Sequence, residues 1–150
     1  AVMNKCCDIL LTCMEKSKDR KVFSVIKGHM NEILALVGDT YTMSTHRLLQ
    51  LIKHLLIDAG SSSALASPDT IFKEFANAIE FIKKLSIHQY PEMRVEAIKI
   101  VTELYKSSST VLFARKNLRE SVIDRLSDGE GLVRAEAIKC IMCITYSLLE

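Results

Sequence analysis

Apolar residues recur every three or four positions along nearly the whole chain, which is the spacing of one face of an α-helix. No segment shows the strict apolar and polar alternation of a half-buried strand. Charged, glycine-ended or serine-rich breaks divide the pattern into seven predicted helices. Their predicted ranges are 2–15, 22–37, 43–59, 69–87, 91–106, 110–126 and 130–150. We therefore expect an all-α fold.

One stretch between these helices has the composition of a linker. Residues 60–67 begin with Gly60-Ser61-Ser62-Ser63, and such glycine and serine runs form flexible connections. Pro68 follows and suits the first turn of the next helix. A chain of 150 residues is the usual size of one domain. We expect a single domain over 1–150 with a flexible linker at 60–67, and the start without Met suggests a fragment of a larger protein.

The chain contains an internal repeat. The eight residues 94–101, RVEAIKIV, align with residues 134–141, RAEAIKCI, and five of the eight are identical. A shorter amphipathic helix and a turn precede each copy. A helix pair that recurs about every 40 residues is typical of an α-solenoid, in which each pair buries its apolar face by stacking on the next.

The repeat also predicts which positions pack. Ala97 and Ala137 are small, as a close approach between helices requires, and an apolar stripe at every third or fourth position is expected to point inward. The stripe consists of Ile98, Val101 and Leu104 in the first copy and Ile138, Ile141 and Ile144 in the second. The opposite stripe of the first copy is predicted to be solvated, with Glu-to-Lys pairs, and consists of Glu92, Glu96, Lys99, Glu103 and Lys106.

The segment 126–137, LSDGEGLVRAEA, resembles the turn and second-helix opening of the HEAT/armadillo repeat family, and the resemblance is clearest over 69–149. It implies a right-handed α-solenoid of stacked antiparallel helix pairs, about three and a half pairs in all. It also implies hydrogen bonds between Asp and Arg of neighbouring repeats. The earlier copy has His88-Gln89 where the turn Asp would lie, so only the last turn is expected to make that contact.

The two ends of the chain carry more apolar residues than an exposed end of a solenoid requires. On the last helix the counterparts of the polar stripe include Cys143 and Tyr146, with Met142 beside them, and helix 2–15 has only a narrow polar stripe, at Asn4, Asp8 and Thr12. We expect both ends to pack on something else, either further repeats or a second subunit.

Five cysteines, an odd number, lie within apolar helical patterns, so we expect reduced thiols used as small core residues. That expectation includes Cys140-x-x-Cys143 and places the protein inside the cell, in the cytoplasm or the nucleus. The pair lies in mid-helix, which does not activate a thiol, and lacks two further ligands for zinc. No motif of a catalytic or nucleotide-binding site is present, so we expect neither an enzyme nor a cofactor.

Charge and hydropathy narrow the range of partners. Lys and Arg number 20 and Asp and Glu 18, a net charge of +2, and no uninterrupted apolar run is long enough to cross a membrane. The basic residues of the sixth predicted helix are diluted by acidic neighbours and have no aromatic beyond Phe113 for stacking, which disfavours nucleic acid. These basic residues are Arg115, Lys116, Arg119 and Arg125.

These observations predict a non-catalytic scaffold that binds a partner protein or peptide on its stacked second helices. The candidate partner-binding residues are Lys53, Glu96, Lys99, Glu103, Lys139 and Cys143. Two alternatives stay open. One is a TOG-like tubulin-binding domain that uses the turns near 38–41, 88–90 and 128–131, although the chain has no Trp. The other is a chromosome or DNA-repair scaffold that contacts nucleic acid through the basic residues named above.

Overall fold

The computed structural model describes residues 2–16, 20–38, 41–62, 68–107 and 112–147. Within these ranges the chain forms helices and no strand, so the all-α prediction is confirmed. The eight α-helices of the described ranges are α1 (Val2–Lys16), α2 (Arg20–Gly28), α3 (Met30–Ala35), α4 (Met43–Ser62), α5 (Pro68–Ser86), α6 (Pro91–Lys106), α7 (Leu112–Asp124) and α8 (Gly131–Ser147). A 3₁₀ turn over Arg125–Ser127 follows α7.

The second predicted helix is two helices, which corrects the expected total of seven. α2 ends at Gly28, and α3 begins at Met30. His29 between them has φ −105° and ψ 19°, outside the helical region. Glycine is a weak helix former, and the apolar periodicity continues on both sides of it, so the pattern alone concealed the break.

α4 is longer than predicted and includes the first part of the predicted linker. Gly60, Ser61 and Ser62 are helical, and residues 63–67 lie outside the described residues. α5 then begins at Pro68, where the sequence placed its first turn.

The helices pack in two rows, and the chain alternates between them. In one row α1 contacts α4, α4 contacts α6 and α6 contacts α8. In the other row α3 contacts α5, and α5 contacts α7. Each member of the second row also packs against the helix that follows it in the chain. The right-handed solenoid itself stays a prediction.

A single apolar core runs between the rows, from Cys7 on α1 to Ile144 on α8. Among the described helices, the contact between α6 and α8 is the most extensive. Ala97 and Ala137 are both completely buried, which agrees with the close approach that their size predicts.

The predicted inward stripe is buried in the first copy of the repeat and only in part in the second. Ile98 is 1% exposed, whereas Ile138, its counterpart in the second copy, is 52% exposed. The prediction for Ile138 is therefore wrong. α6 is covered by neighbours on both sides along its row, whereas α8 contacts a row neighbour only on the α6 side within the described chain.

Two residues of the polar stripe of α1, Asn4 and Asp8, face α4, whereas Thr12 is exposed. The side chain of Asn4 accepts a hydrogen bond from Ser44 Oγ at 2.7 Å, and Asp8 forms an ion pair with Arg47. Cys6 and Cys13 are consequently exposed, while Cys7 is buried. The core role predicted for all the cysteines of this helix therefore applies to Cys7 alone. Within the described chain, the main contacts of α1 are with α4 and α2.

Candidate binding groove between α6 and α8

The two copies of the repeat share one arginine contact that fixes the start of α6 and of α8. Arg94 Nη1 donates to the carbonyl oxygens of His88 at 2.6 Å and of Gln89 at 3.1 Å. Arg134 Nη1 donates to the carbonyl oxygens of Asp128 at 2.7 Å and of Gly129 at 2.9 Å. The acceptors lie six and five residues upstream in both cases, so each turn closes in the same way and the two helices begin in equivalent positions.

Arg94 also joins the two turns. Its Nε and Nη2 donate to the two carboxylate oxygens of Asp128, each at 2.9 Å, in a two-pronged ion pair. This is the contact that the repeat resemblance implies for the last turn. Burial alone would raise the pKa of Asp128, but hydrogen bonds from Arg94 and from the Glu130 backbone, with the charges of Arg94 and Arg125, hold that pKa below its usual value.

At the earlier turn, His88 takes the place of Asp128 but makes only the hydrogen bond within its own turn. The Tyr90 backbone N–H donates to His88 Nδ1 at 3.2 Å, just as the Glu130 backbone N–H donates to Asp128 Oδ1 at 3.0 Å. An imidazole can close a turn in this way, but it offers no carboxylate to a neighbouring arginine.

Starting side by side, α6 and α8 leave a groove between their outward faces, which we call the α6/α8 groove. It consists of two clefts, of ≈ 360 Å³ near the helix starts and ≈ 200 Å³ farther along, which share Lys99, Glu136 and Lys139. The first cleft adds apolar surface from Val95, Leu132 and Ala135. A third cleft of ≈ 340 Å³ before α4 meets the first one at Tyr41. The three clefts therefore form a continuous open surface of polar and apolar side chains.

The floor of the groove holds a buried carboxylate. Glu96 has only 4% of its side chain exposed, which corrects its predicted place on a solvated face. Gln50 Nε2 donates to it at 3.3 Å, Lys99 Nζ lies at 3.3 Å and His46 Nδ1 at 3.5 Å. Packing of α4 against α6 brings Gln50 and His46 to this position, and the periodicity of α6 alone could not indicate it.

Tyr41 closes one end of the groove. Its hydroxyl oxygen lies 3.4 Å from His46 Nδ1. Burial raises the pKa of Tyr41, and the carboxylates of Glu96 and Glu92 raise it further. The hydroxyl therefore keeps its proton at neutral pH and can donate a hydrogen bond to a ligand.

The rim of the groove repeats a Glu–Lys pair from each helix. Lys99 lies 3.3 Å from Glu96, and Lys139 lies 3.4 Å from Glu136. The lysine side chains are 48% and 70% exposed, respectively. Two ammonium groups with unused donors thus stand beside apolar surface, which suits a peptide with carboxylate and apolar side chains.

Five of the six predicted partner-binding residues lie together here. They are Glu96, Lys99, Glu103, Lys139 and Cys143. Lys53 is half-buried on α4 and lines none of the three clefts. Glu136 was missed although it is the counterpart of Glu96, so the repeat itself could have indicated it. Tyr41 and His46 precede the clear repeat, and no pattern connects them with α6.

Of the two cysteines of α8, one lies in the core and the other lines the groove. Cys140 is completely buried, like Ile100 at the matching position, while Cys143 is half-exposed and lines the second cleft. Burial raises the pKa of Cys140 to about 11. A hydrogen bond with Thr102 opposes this shift, and Cys143 and Glu136 add smaller increases. Within the described ranges, no three His, Cys, Asp or Glu side chains cluster as a metal site would require.

We predict that an alkylating reagent distinguishes the two thiols. At pH 8 a thiol with a pKa of about 11 is about one part in a thousand thiolate, and burial also blocks the reagent. In the folded protein we expect Cys143 to react with iodoacetamide at least about a hundredfold faster than Cys140, as read by mass spectrometry of the peptides. In concentrated urea the two rates should converge. Equal rates in the folded protein would contradict the burial of Cys140.

The tubulin-binding alternative depends on the turns, and the nucleic-acid alternative depends on the basic residues of α7. Asp128 is 8% exposed and fully engaged by Arg94, so the last turn cannot offer this carboxylate to tubulin without breaking that pair. Arg119 is exposed on α7, whereas the side chains of Arg115 and Lys116 lie outside the described residues.

The resemblance to the HEAT/armadillo family rests on the sequence motif alone. A scan against protein-family models finds no match, and a search of curated proteins finds no similar sequence. Of the helices described above, none combines the length and the apolar content that a membrane crossing requires.

Proposed function

We propose that this protein is a HEAT/armadillo-type right-handed α-solenoid that acts as a non-catalytic scaffold and binds a partner protein. Three observations support the architecture. The chain alternates between two helix rows, successive members of each row are in contact, and the arginine contact made by Arg94 recurs at Arg134 in the second copy of the repeat. Under this proposal α2 and α3 pair with α4, α5 pairs with α6, α7 pairs with α8, and α1 belongs to a pair before them.

The observation that carries the function is the α6/α8 groove. Its floor is polar and buried, its wall is apolar at Val95 and Leu132, and its rim holds Lys99 and Lys139. Such a mixture is typical of peptide-binding surfaces, where apolar contacts give affinity and a few polar groups fix the register.

The length of the groove indicates what it binds. A helix of 16 residues such as α6 is about 24 Å long, which an extended segment of about seven residues would span. We therefore expect a linear segment of a partner protein with acidic side chains spaced to meet the two lysines and an apolar side chain for the wall.

Removing the two rim charges should weaken this binding. In Lys99→Gln/Lys139→Gln we expect the Kd of a groove-bound peptide to rise by about three- to tenfold, because two half-exposed ion pairs contribute modestly. Peptides would be selected from a random displayed library on the immobilised chain and measured by fluorescence anisotropy. The selected peptides should be enriched in Asp and Glu.

A charge-matched control is Lys84→Gln/Arg119→Gln, which removes the same charge from exposed positions on α5 and α7. The control should bind like the unaltered chain. Equal affinity of both double variants and the parent, or selection of basic peptides, would refute the groove assignment. Binding of DNA that the Arg119 control abolishes would instead favour the chromosome-scaffold alternative.

The thiols fit an intracellular scaffold. All five cysteines are unpaired, and Cys7 and Cys140 are buried as small apolar groups. Buried thiols are chemically inert, and exposed thiols stay unpaired in a reducing compartment, so we infer that the protein lies inside the cell.

A further inference from the structure

One carboxylate of the α6/α8 groove has no cation beside it. The other glutamates that line the groove each pair with the lysine three residues later, which is a neighbour on the same side of a helix. These pairs are Glu96 with Lys99, Glu103 with Lys106, and Glu136 with Lys139. Glu92 has Val95 at that position instead. It is exposed, and within the described chain its carboxylate makes no hydrogen bond or ion pair.

The side chains around Glu92 are apolar or aromatic. Val95, Leu132 and Tyr41 line the same cleft of ≈ 360 Å³. Leu132 is 79% exposed and occupies on α8 the position that Glu92 occupies on α6, forty residues earlier. Burial raises the pKa of Tyr41, and the charges of Glu96 and Glu92 raise it further, so the Glu92 carboxylate lies close enough to act on the Tyr41 hydroxyl.

We propose that this end of the α6/α8 groove, lined by Tyr41, Glu92, Val95 and Leu132, is a pocket for one lysine or arginine side chain of the bound segment. We call it the Glu92 pocket. The methylene groups of the basic side chain would pack on Val95 and Leu132, while its cation meets the Glu92 carboxylate and the Tyr41 ring. The inference rests on the proposed function, because it adds one basic residue to the acidic and apolar segment that the groove is proposed to bind.

The charges of the first cleft determine the choice of a cation. Three glutamates and two lysines line this cleft, and the lysines pair with Glu96 and Glu136. One negative charge, that of Glu92, is therefore not compensated. A ligand carboxylate would be repelled there, whereas an ammonium or guanidinium group would supply the missing partner. The acidic side chains of the segment would lie farther along the groove, at Lys99 and Lys139.

The Glu92 pocket also sets the order of charges along the bound segment. Glu92 and Lys99 are seven residues apart on α6, which is about 10 Å along the helix axis. An extended segment covers that distance in about three residues. We therefore expect a lysine or arginine about three positions from the acidic residue that meets Lys99. A segment bound with the reverse order would place like charges together at both positions.

The test is a double-mutant cycle on a peptide selected from the displayed library on the unaltered chain. Each Lys or Arg of the peptide is replaced with Gln, and the Kd is measured by fluorescence anisotropy for the parent and for Glu92→Gln. One replacement should raise the Kd about sixfold for the parent but only about twofold for Glu92→Gln. Glu120→Gln is the matched control, because it removes an exposed glutamate from α7 and should preserve the sixfold effect.

A second pair of variants tests the aromatic wall of the Glu92 pocket. Tyr41→Leu removes the ring but keeps an apolar side chain, so the effect of the peptide replacement should fall to about threefold. Tyr41→Phe keeps the ring and removes only the hydroxyl, so the sixfold effect should remain. Equal effects in these two variants would exclude a contact between the cation and the ring.

Two results would overturn the inference and leave the proposed function intact. The first is a set of selected peptides that depend on Lys99 and Lys139 but contain no Lys or Arg whose replacement raises the Kd. The second is a replacement with the same effect in the parent and in Glu92→Gln. If instead no peptide is selected, or Lys99→Gln/Lys139→Gln binds the selected peptides as tightly as the parent does, the proposed function fails and this inference fails with it.

Discussion

Replacing Arg94 with glutamine is expected to lower the free energy of unfolding by about 3 kcal/mol, because the substitution breaks a buried two-pronged ion pair. It leaves Asp128, whose side chain is 3% exposed, with the Arg125 guanidinium at 3.3 Å and the Glu130 backbone N–H at 3.0 Å. Domains of this size are stable by about 5–15 kcal/mol, so the loss should be large in a urea titration. The chain has no Trp, and the titration is followed by helical circular dichroism.

Arg134→Gln is the matched control. It removes the same two backbone contacts but no ion pair, so we expect a loss of about 1 kcal/mol or less. The difference between the two variants measures the link from Arg94 to Asp128. Equal losses would mean that this ion pair contributes nothing to stability.

The ion pair between Arg94 and Asp128 also makes the free energy of unfolding depend on pH in the acid range. The pKa of Asp128 is lowered on folding, so its contribution is fully present above its ordinary value of 3.8 and is lost as the pH falls below that value. We expect Asp128→Asn to be less stable at neutral pH and to lose less stability than the parent between about pH 4 and pH 2.

Ile98→Ala and Ile138→Ala should differ strongly although the two residues occupy the same place in the repeat. Ile98 is 1% exposed, and its truncation leaves a cavity that costs about 3 kcal/mol. Ile138 is 52% exposed, and the better helix propensity of alanine offsets most of the lost contact. We expect its truncation to change the free energy of unfolding by no more than about 0.5 kcal/mol.

The measurement is again denaturation by urea, at several protein concentrations for Ile138→Ala. A loss of about 2 kcal/mol or more for Ile138→Ala would show that its face is covered in solution. A concentration-dependent loss would assign the cover to a second copy.

The sequence predicted the helices well because their apolar periodicity is long and regular. The internal repeat also located Ala97, Ala137 and the turn at Asp128 correctly. The break at His29 escaped prediction because the apolar pattern does not change across it. A periodicity assigns a face to each residue, but not the neighbour that the face meets.

That distinction explains the remaining errors. Glu96 has the spacing of a solvated residue and is buried because α4 brings Gln50 and His46 over it. Ile138 has the spacing of a core residue and is exposed because, within the described chain, α8 has a row neighbour on one side only. Both outcomes depend on packing between helices that are distant in sequence. The groove could be predicted only as far as the repeat reaches, which includes Lys139 but not Tyr41.

The central place of α4 and α6 also determines how the molecule would come apart. Among the described helices, α4 touches α1, α2, α3, α5 and α6, and α6 touches α4, α5, α7 and α8. Both touch more helices than α1 does at one end of the row or α8 at the other. Local opening therefore starts at the ends, where few contacts must break, and fraying proceeds inward. A protease would cut α1 or α8 first, and α4 and α6 would be cut last.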